Sequence, residues 1–201
     1  MSLPKLPRHA PGLRIGLFGG SFNPPHAGHR LVTLTALRRL KLDRVWWIVT
    51  PGNPLKDTRQ LPSQADRMAE CRRLMHEPVV DITGFEADIG TRYTLDTLRY
   101  LKRRCPGVRF VWIMGADNLI QFHRWQGWRD IARLMPIAVV DRPGATLKAT
   151  ASKTAHTLSH ARVNERSPLS GSASKLAKRP RWAFIHGPRS ALSSTILRKM
   201  H

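Results

Sequence analysis

The chain has 201 residues, 41% of them hydrophobic, and a formal net charge of +21. That length suits one packed domain, and no apolar run reaches the roughly 18 residues of a membrane-spanning helix. The basic start, MSLPKLPRHAPG, lacks the apolar core of a secretion signal, and Cys71 and Cys105 form no C-x-x-C pair, which argues against a metal framework and for reduced thiols in the cytoplasm.

Residues 1–13 read as a short, flexible, basic tail, and 14–201 as a single domain. Arg14 to Phe18 is predicted to be a strand, and Ala27 to Leu42 a helix with an apolar stripe of Leu31, Leu34, Leu37 and Leu40 beside Val32 and Ala36. Arg44 to Thr50, RVWWIVT, is a second strand; its continuous hydrophobicity suits a strand covered on both faces. Ser63 opens a helix running to about His76, Val79 to Phe85 is a third strand, and Thr94 to Arg104 a third helix that Thr94 is expected to cap. Arg109 to Gly115 is a fourth strand, followed by helical pieces over Ala116 to Ile120 and Trp125 to Leu134. Ile137 to Asp141 and Trp182 to His186 complete the strands, and Ser194 to Met200 reads as a last helix. Residues 145–181, rich in Ala, Ser, Lys and Arg, read as a basic, mostly helical surface insertion contributing little core. Strands alternating with helices predict an α/β fold: a Rossmann-like, doubly wound parallel sheet of about six strands with helices on both faces. In such sheets ligands bind beyond the carboxyl ends of the strands.

The charge is uneven: from Arg142 to His201 there are twelve Lys/Arg against one acid, Glu165. Such a field attracts polyanions, small nucleotides and nucleic acids alike. A single-strand nucleic-acid binder would interleave aromatics with the basic residues, and 145–181 contains no aromatic. Nucleic acid is therefore the disfavoured partner.

GGSFNPPHAGH, Gly19 to His29, falls at the first strand-to-helix turn. Gly19 and Gly20 allow backbone to approach a ligand closely, and Pro24 and Pro25 stiffen the loop. His26 and His29 lie three apart at the helix start and so face the same way. The helix start adds unpaired N–H groups and a partial positive charge, together a compact anion site suited to a polyphosphate. A zinc pair is the weaker reading, because no third ligand is evident nearby. At the other end, Leu192-Ser193-Ser194-Thr195-Ile196-Leu197-Arg198 offers hydroxyl N-caps and a fork-shaped guanidinium that could hold a second phosphate.

Gly-Gly-Ser-Phe-Asn-Pro followed by His-x-Gly-His resembles the signature of the HxGH nucleotidyltransferase superfamily, and the C-terminal segment resembles its ISSTxIR motif, with Leu192 in place of isoleucine. Three further segments narrow the likeness. Asn53-Pro54-Leu55-Lys56 resembles a basic loop whose commoner form has Pro-His before the lysine. Arg92-Tyr93-Thr94-Leu95-Asp96-Thr97-Leu98 resembles SYTxDTL, and Gly115-Ala116-Asp117-Asn118 with Phe122 and Trp125 resembles GADN…F…W. Together, over about residues 14–200, these are similar to the bacterial nicotinate-nucleotide adenylyltransferases.

The resemblance implies transfer of AMP from ATP to nicotinate mononucleotide, giving deamido-NAD and pyrophosphate, with Mg²⁺ accompanying ATP and no metal held by the chain itself. It implies catalytic roles for His26, His29, Lys56 and Arg198. ATP would be bound by Gly19, Gly20, Ser21, Phe22, His26, His29, Gly115, Asp117, Ser193, Ser194 and Arg198. Nicotinate mononucleotide would be bound by Asn23, Lys56, Thr94 and Trp125. The rivals are an adenylyltransferase for nicotinamide mononucleotide or another HxGH-family substrate and, in a different class, a basic nucleic-acid-binding protein. No membrane partner is expected, and a homo-oligomer is left open.

Overall fold

A computed structural model describes residues 4–52, 61–142, 144–167, 169 and 179–187. Lys56, Ser193, Ser194 and Arg198, and the last predicted helix, lie outside these residues. Six strands, β1 (Arg14–Gly20), β2 (Arg44–Val49), β3 (Val80–Thr83), β4 (Arg109–Gly115), β5 (Ile137–Val140) and β6 (Trp182–Ile185), form one sheet in the order β3-β2-β1-β4-β5-β6. Every neighbouring pair is parallel. The chain starts at the centre, builds outward through β2 and β3, then crosses to β4. The order therefore reverses between β1 and β4, which opens a crevice at their carboxyl ends.

Strand alternation sorts the core into two layers. Ile15, Leu17, Trp46, Ile48, Phe110, Trp112 and Val139 point to one face. Phe18, Val45, Trp47, Val49, Val111, Ile113 and Val140 point to the other. The second face is covered by α1 (Ala27–Leu40) and α2 (Gln64–Leu74). The first is covered by α4 (Thr94–Arg104), α5 (Ala116–Gln121) and α6 (Trp128–Leu134), with α3 (Phe85–Asp88) before them.

Several expectations need correction. The side of α1 buried on the sheet is Val32, Thr33, Thr35 and Ala36, while Leu31, Leu34, Leu37 and Leu40 are only half-buried. Small residues let the helix approach the sheet, and Thr33 Oγ1 accepts a 2.7 Å hydrogen bond from the buried Trp47 Nε1. α1 stops two residues early because Lys41 turns left-handed at φ 51; Leu42 N then donates to Leu37 O, a Schellman closure. β3 ends at Thr83, and Phe85, expected as its last residue, instead opens α3. The helix expected from Trp125 begins only at Trp128, because Gly127 at φ 63 breaks the path from the 3-10 turn Phe122–Arg124. The tail is held against the domain: Leu6 and Leu13 pack on the core, and Gly12 N donates to Gly107 O. The basic insertion also contributes core. α7 (Thr146–Thr150), α8 (Lys153–Thr157) and the segment through Ser159–Ala161 bury Ala149, Ala155, Leu158 and Ala161, since alanines let these short helices pack closely on α5.

Candidate active site

A cavity of about 460 Å³ opens at the carboxyl ends of the strands. β1 and its turn supply Gly19, Gly20, Ser21 and Phe22, α1 supplies His26 and His29, and the end of β4 supplies Gly115 with Asp117. Thr94 and Trp125 also line the cavity. The structure therefore brings together every predicted site residue among those described except Asn23, which follows Phe22 in the loop but is not part of the cavity wall.

The first turn is shaped by close approach. A Cβ on Gly19 would lie 2.6 Å from the Trp112 ring, so the strand can pass the indole only as glycine. Phe22 sits at φ 45, a left-handed conformation that costs an aromatic residue about 1–3 kcal/mol. Burial to 2% exposure and a stack on Trp47, with ring centroids 4.8 Å apart, hold it there.

The imidazoles do not leave the helix N-terminus open, as expected from the sequence; they close it. His26 is the N-cap, and its Nδ1 accepts from Gly28 N at 3.1 Å. His29 Nδ1 accepts from His26 N at 3.2 Å. An Nδ1 that accepts a backbone N–H carries no proton, so each neutral ring bears its hydrogen on Nε2. The rings lie with centroids 3.9 Å apart. Burial, with the Arg142 guanidinium adding to it, lowers His26 to about 4 against a partial counter-pull from Asp117. Burial, His26 and Arg142 hold His29 well below its ordinary value. At neutral pH the pair is therefore uncharged: two N–H donors polarised by the helix N-terminus behind them.

Sequence reasoning treated Arg142 only as the start of a change in composition. It follows β5 and lies in the cavity wall, its side chain 14% exposed, with Nη1 3.3 Å from Asp117 Oδ1. Its Nη2 is buried without a hydrogen-bond partner among the described residues. A Cβ on Gly28 would fall 2.7 Å from that nitrogen, so the glycine of His-x-Gly-His makes room for a cation. A guanidinium pressed against a helix N-terminus is electrostatically unfavourable until an anion arrives. The available signal was positional, since Arg142 lies just past a strand's carboxyl end.

Glu86 was also missed. It is 8% exposed, receives Thr97 Oγ1 at 2.6 Å, and lines the cavity; burial raises its carboxyl above the usual range. Thr94 is the first residue of α4 rather than its cap, which is Tyr93 without a side-chain cap bond. Asp117, in the first turn of α5, engages Arg142. Trp125 meets Trp112 and Phe122 edge to face, while Trp128 is buried in the core.

No group of three or more His, Cys, Asp or Glu among the described residues could hold a metal ion. What the cavity offers is glycine backbone, two neutral N–H donors and a partly unpaired cation, which together suit a polyphosphate.

Residues 17–200 match the protein-family model described as cytidylyltransferase-like. The chain is 56% identical over 197 residues to a Mesorhizobium japonicum protein named "Probable nicotinate-nucleotide adenylyltransferase", spanning 97% of this chain and 98% of that one. A protein of the same name from Agrobacterium fabrum is 57% identical over 189 residues, 93% of this chain and 98% of its own. Among solved structures, the fold is similar to Plasmodium falciparum nicotinic acid mononucleotide adenylyltransferase complexed with NaAD, with TM-score 0.66 and 17% identity over 93% of this chain and 83% of that one. The chain belongs to the cytidylyltransferase-like nucleotidyltransferases and, within them, to the nicotinate-nucleotide adenylyltransferase family.

Proposed function

We propose that the cavity joins ATP to nicotinate mononucleotide. The mononucleotide phosphate oxygen bonds to the α-phosphorus of ATP, the bond from that phosphorus to the bridging oxygen breaks, and pyrophosphate leaves with the electron pair. The products are deamido-NAD and pyrophosphate. Because both reactants are anions, the barrier is lowered mainly by positioning and by stabilising charge.

The observation that carries this reading is the histidine pair, with both Nδ1 atoms held by backbone at the switch point of the sheet. His26 and His29 donate through Nε2 to the α-phosphate and the departing oxygen. Arg142 supplies fixed positive charge beside them. The Gly19–Phe22 backbone lies against the nucleotide, and Gly115 and Asp117 hold the adenosine ribose. Thr94 and Trp125 take the nicotinate ring and Asn23 contacts the mononucleotide, while Lys56 meets the incoming phosphate or the triphosphate, on sequence resemblance. Ser193, Ser194 and Arg198 close on the outer phosphates, a role resting on sequence resemblance alone. Mg²⁺ brought with ATP would neutralise phosphate charge without a carboxylate cage from the described residues, in keeping with an Asp117 already engaged by Arg142. The two buried free thiols, Cys71 and Cys105, suit a cytoplasmic setting.

The test offers ATP and Mg²⁺ with, in turn, nicotinate mononucleotide, nicotinamide mononucleotide and phosphopantetheine, and measures pyrophosphate. Nicotinate mononucleotide should give the highest kcat/KM. Equal or better turnover of another acceptor overturns the substrate assignment, and no release with any of them overturns the reaction.

A further inference from the structure

Arg67, in the first turn of α2, is 1% exposed and takes no part in the chemistry just described. Among the described residues its guanidinium is held by backbone carbonyls alone. Nε donates to Pro62 O at 3.0 Å, Nη1 to Ser21 O at 2.7 Å and Thr50 O at 2.9 Å, and Nη2 to Pro51 O at 3.3 Å. A buried cation is costly to maintain, so its retention here asks what the grip achieves.

The carbonyls come from two different loops. Ser21 belongs to the turn after β1 and Thr50–Pro51 to the turn after β2; Ser21, Thr50 and Gly52 line the cavity. Arg67 does not. The carbonyl oxygens that would repel an incoming phosphate are thus drawn away from the cavity onto the guanidinium. In a planar trans peptide the N–H lies opposite the C=O, so the N–H groups of Phe22 and Gly52 are turned to the side away from Arg67. Three residues before it, Gln64, the first residue of α2, donates its Nε2 to Val49 O at 2.6 Å and to Gly84 O at 3.2 Å. Gln64 thus ties the ends of β2 and β3 through carbonyls outside the cavity wall, whereas Arg67 reaches the turn after β1.

We propose that Arg67 is a positioning residue for nucleotidyl transfer, fixing the nucleotide-side loop at Ser21 and the loop at Thr50–Gly52 in one register with their carbonyls turned from the phosphates. The proposal rests on the adenylyltransferase reading. Lysine keeps the charge but is a point donor without the planar fork, so it cannot hold four carbonyls in two loops at once.

The experiment compares Arg67→Lys, Gln64→Met and wild type in the pyrophosphate assay with ATP, Mg²⁺ and nicotinate mononucleotide, alongside thermal unfolding. Arg67→Lys should lose about 100-fold in kcat, with KM moving far less. Gln64→Met should also lower Tm while keeping kcat within a few-fold. Arg67→Ala should recover turnover on adding millimolar guanidinium ion, which a general loss of stability would not allow. Equal kcat in Arg67→Lys and wild type overturns the proposal. So does a kcat loss that merely follows Tm across both variants, or an Arg67→Ala protein that guanidinium leaves inactive. A wild type that releases no pyrophosphate overturns the adenylyltransferase reading, and this proposal with it.

Discussion

A histidine's value to phosphate chemistry depends on which nitrogen carries its proton, and here the backbone decides. Gly28 N and His26 N occupy the two Nδ1 atoms, so the donors are fixed without adding net charge. Long-range ¹H–¹⁵N spectra should show both rings neutral and protonated on Nε2 from pH 8 down to about 5.5; a ring titrating near 6.5 contradicts this. The folded His26 titrates near 4 against an ordinary 6.5. The unfolded chain therefore binds protons first, and this part of the stability is complete above pH 6.5 and lost as pH falls toward 4. His26→Asn keeps a good cap acceptor but shortens the donor's reach. It should cut kcat by about 10²–10³-fold with Tm little changed, whereas His26→Ala should lose a further ~1 kcal/mol of stability. Near-normal turnover in His26→Asn would remove the donor role. The residue types of the first motif were legible in sequence. Their tautomers were not, because those follow from which backbone N–H each ring meets, and Arg142 was invisible because its meaning comes from lying beside Gly28.

At the scale of elements, α1 must hold its first turn steady over the cavity. Thr33 Oγ1 donates to His29 O at 2.9 Å and accepts from Trp47 Nε1 at 2.7 Å, and Trp47 stacks on Phe22 of the site loop. Thr33→Val keeps the shape but leaves the buried indole N–H unpaired. It should destabilise by about 1–3 kcal/mol, read as a lower denaturant midpoint at unchanged slope; an unchanged midpoint would mean that this link carries no stability. The strands were legible because parallel central strands read as unbroken apolar runs, RVWWIVT above all. The buried side of α1 was not. A leucine stripe looks like the core face until the sheet demands small residues at closest approach, and the partner of Thr33 lies on another strand.

For the whole molecule, a net charge of +21 surrounds a site built for anions. Screening should raise the KM for ATP as salt rises from about 50 to 500 mM while kcat changes little, since surface charges act within a Debye length of about 10 Å at 0.1 M. A salt-insensitive KM would assign the charge to something other than substrate attraction. The doubly wound parallel sheet was legible from alternating strands and helices; its strand order was not. The convergence of Gly19, His26, Gly115, Trp125 and Arg142 on one cavity came from topology: β1 and β4 are far apart in sequence yet adjacent in the sheet.

The most direct measurement is a crystal structure of the protein with a non-hydrolysable ATP analogue. The triphosphate should lie in this cavity, with Nε2 of His26 and His29 within hydrogen-bond distance of phosphate oxygens and the adenosine beside Gly115 and Asp117. A triphosphate bound on another surface, or imidazoles meeting phosphate through Nδ1, would contradict the account.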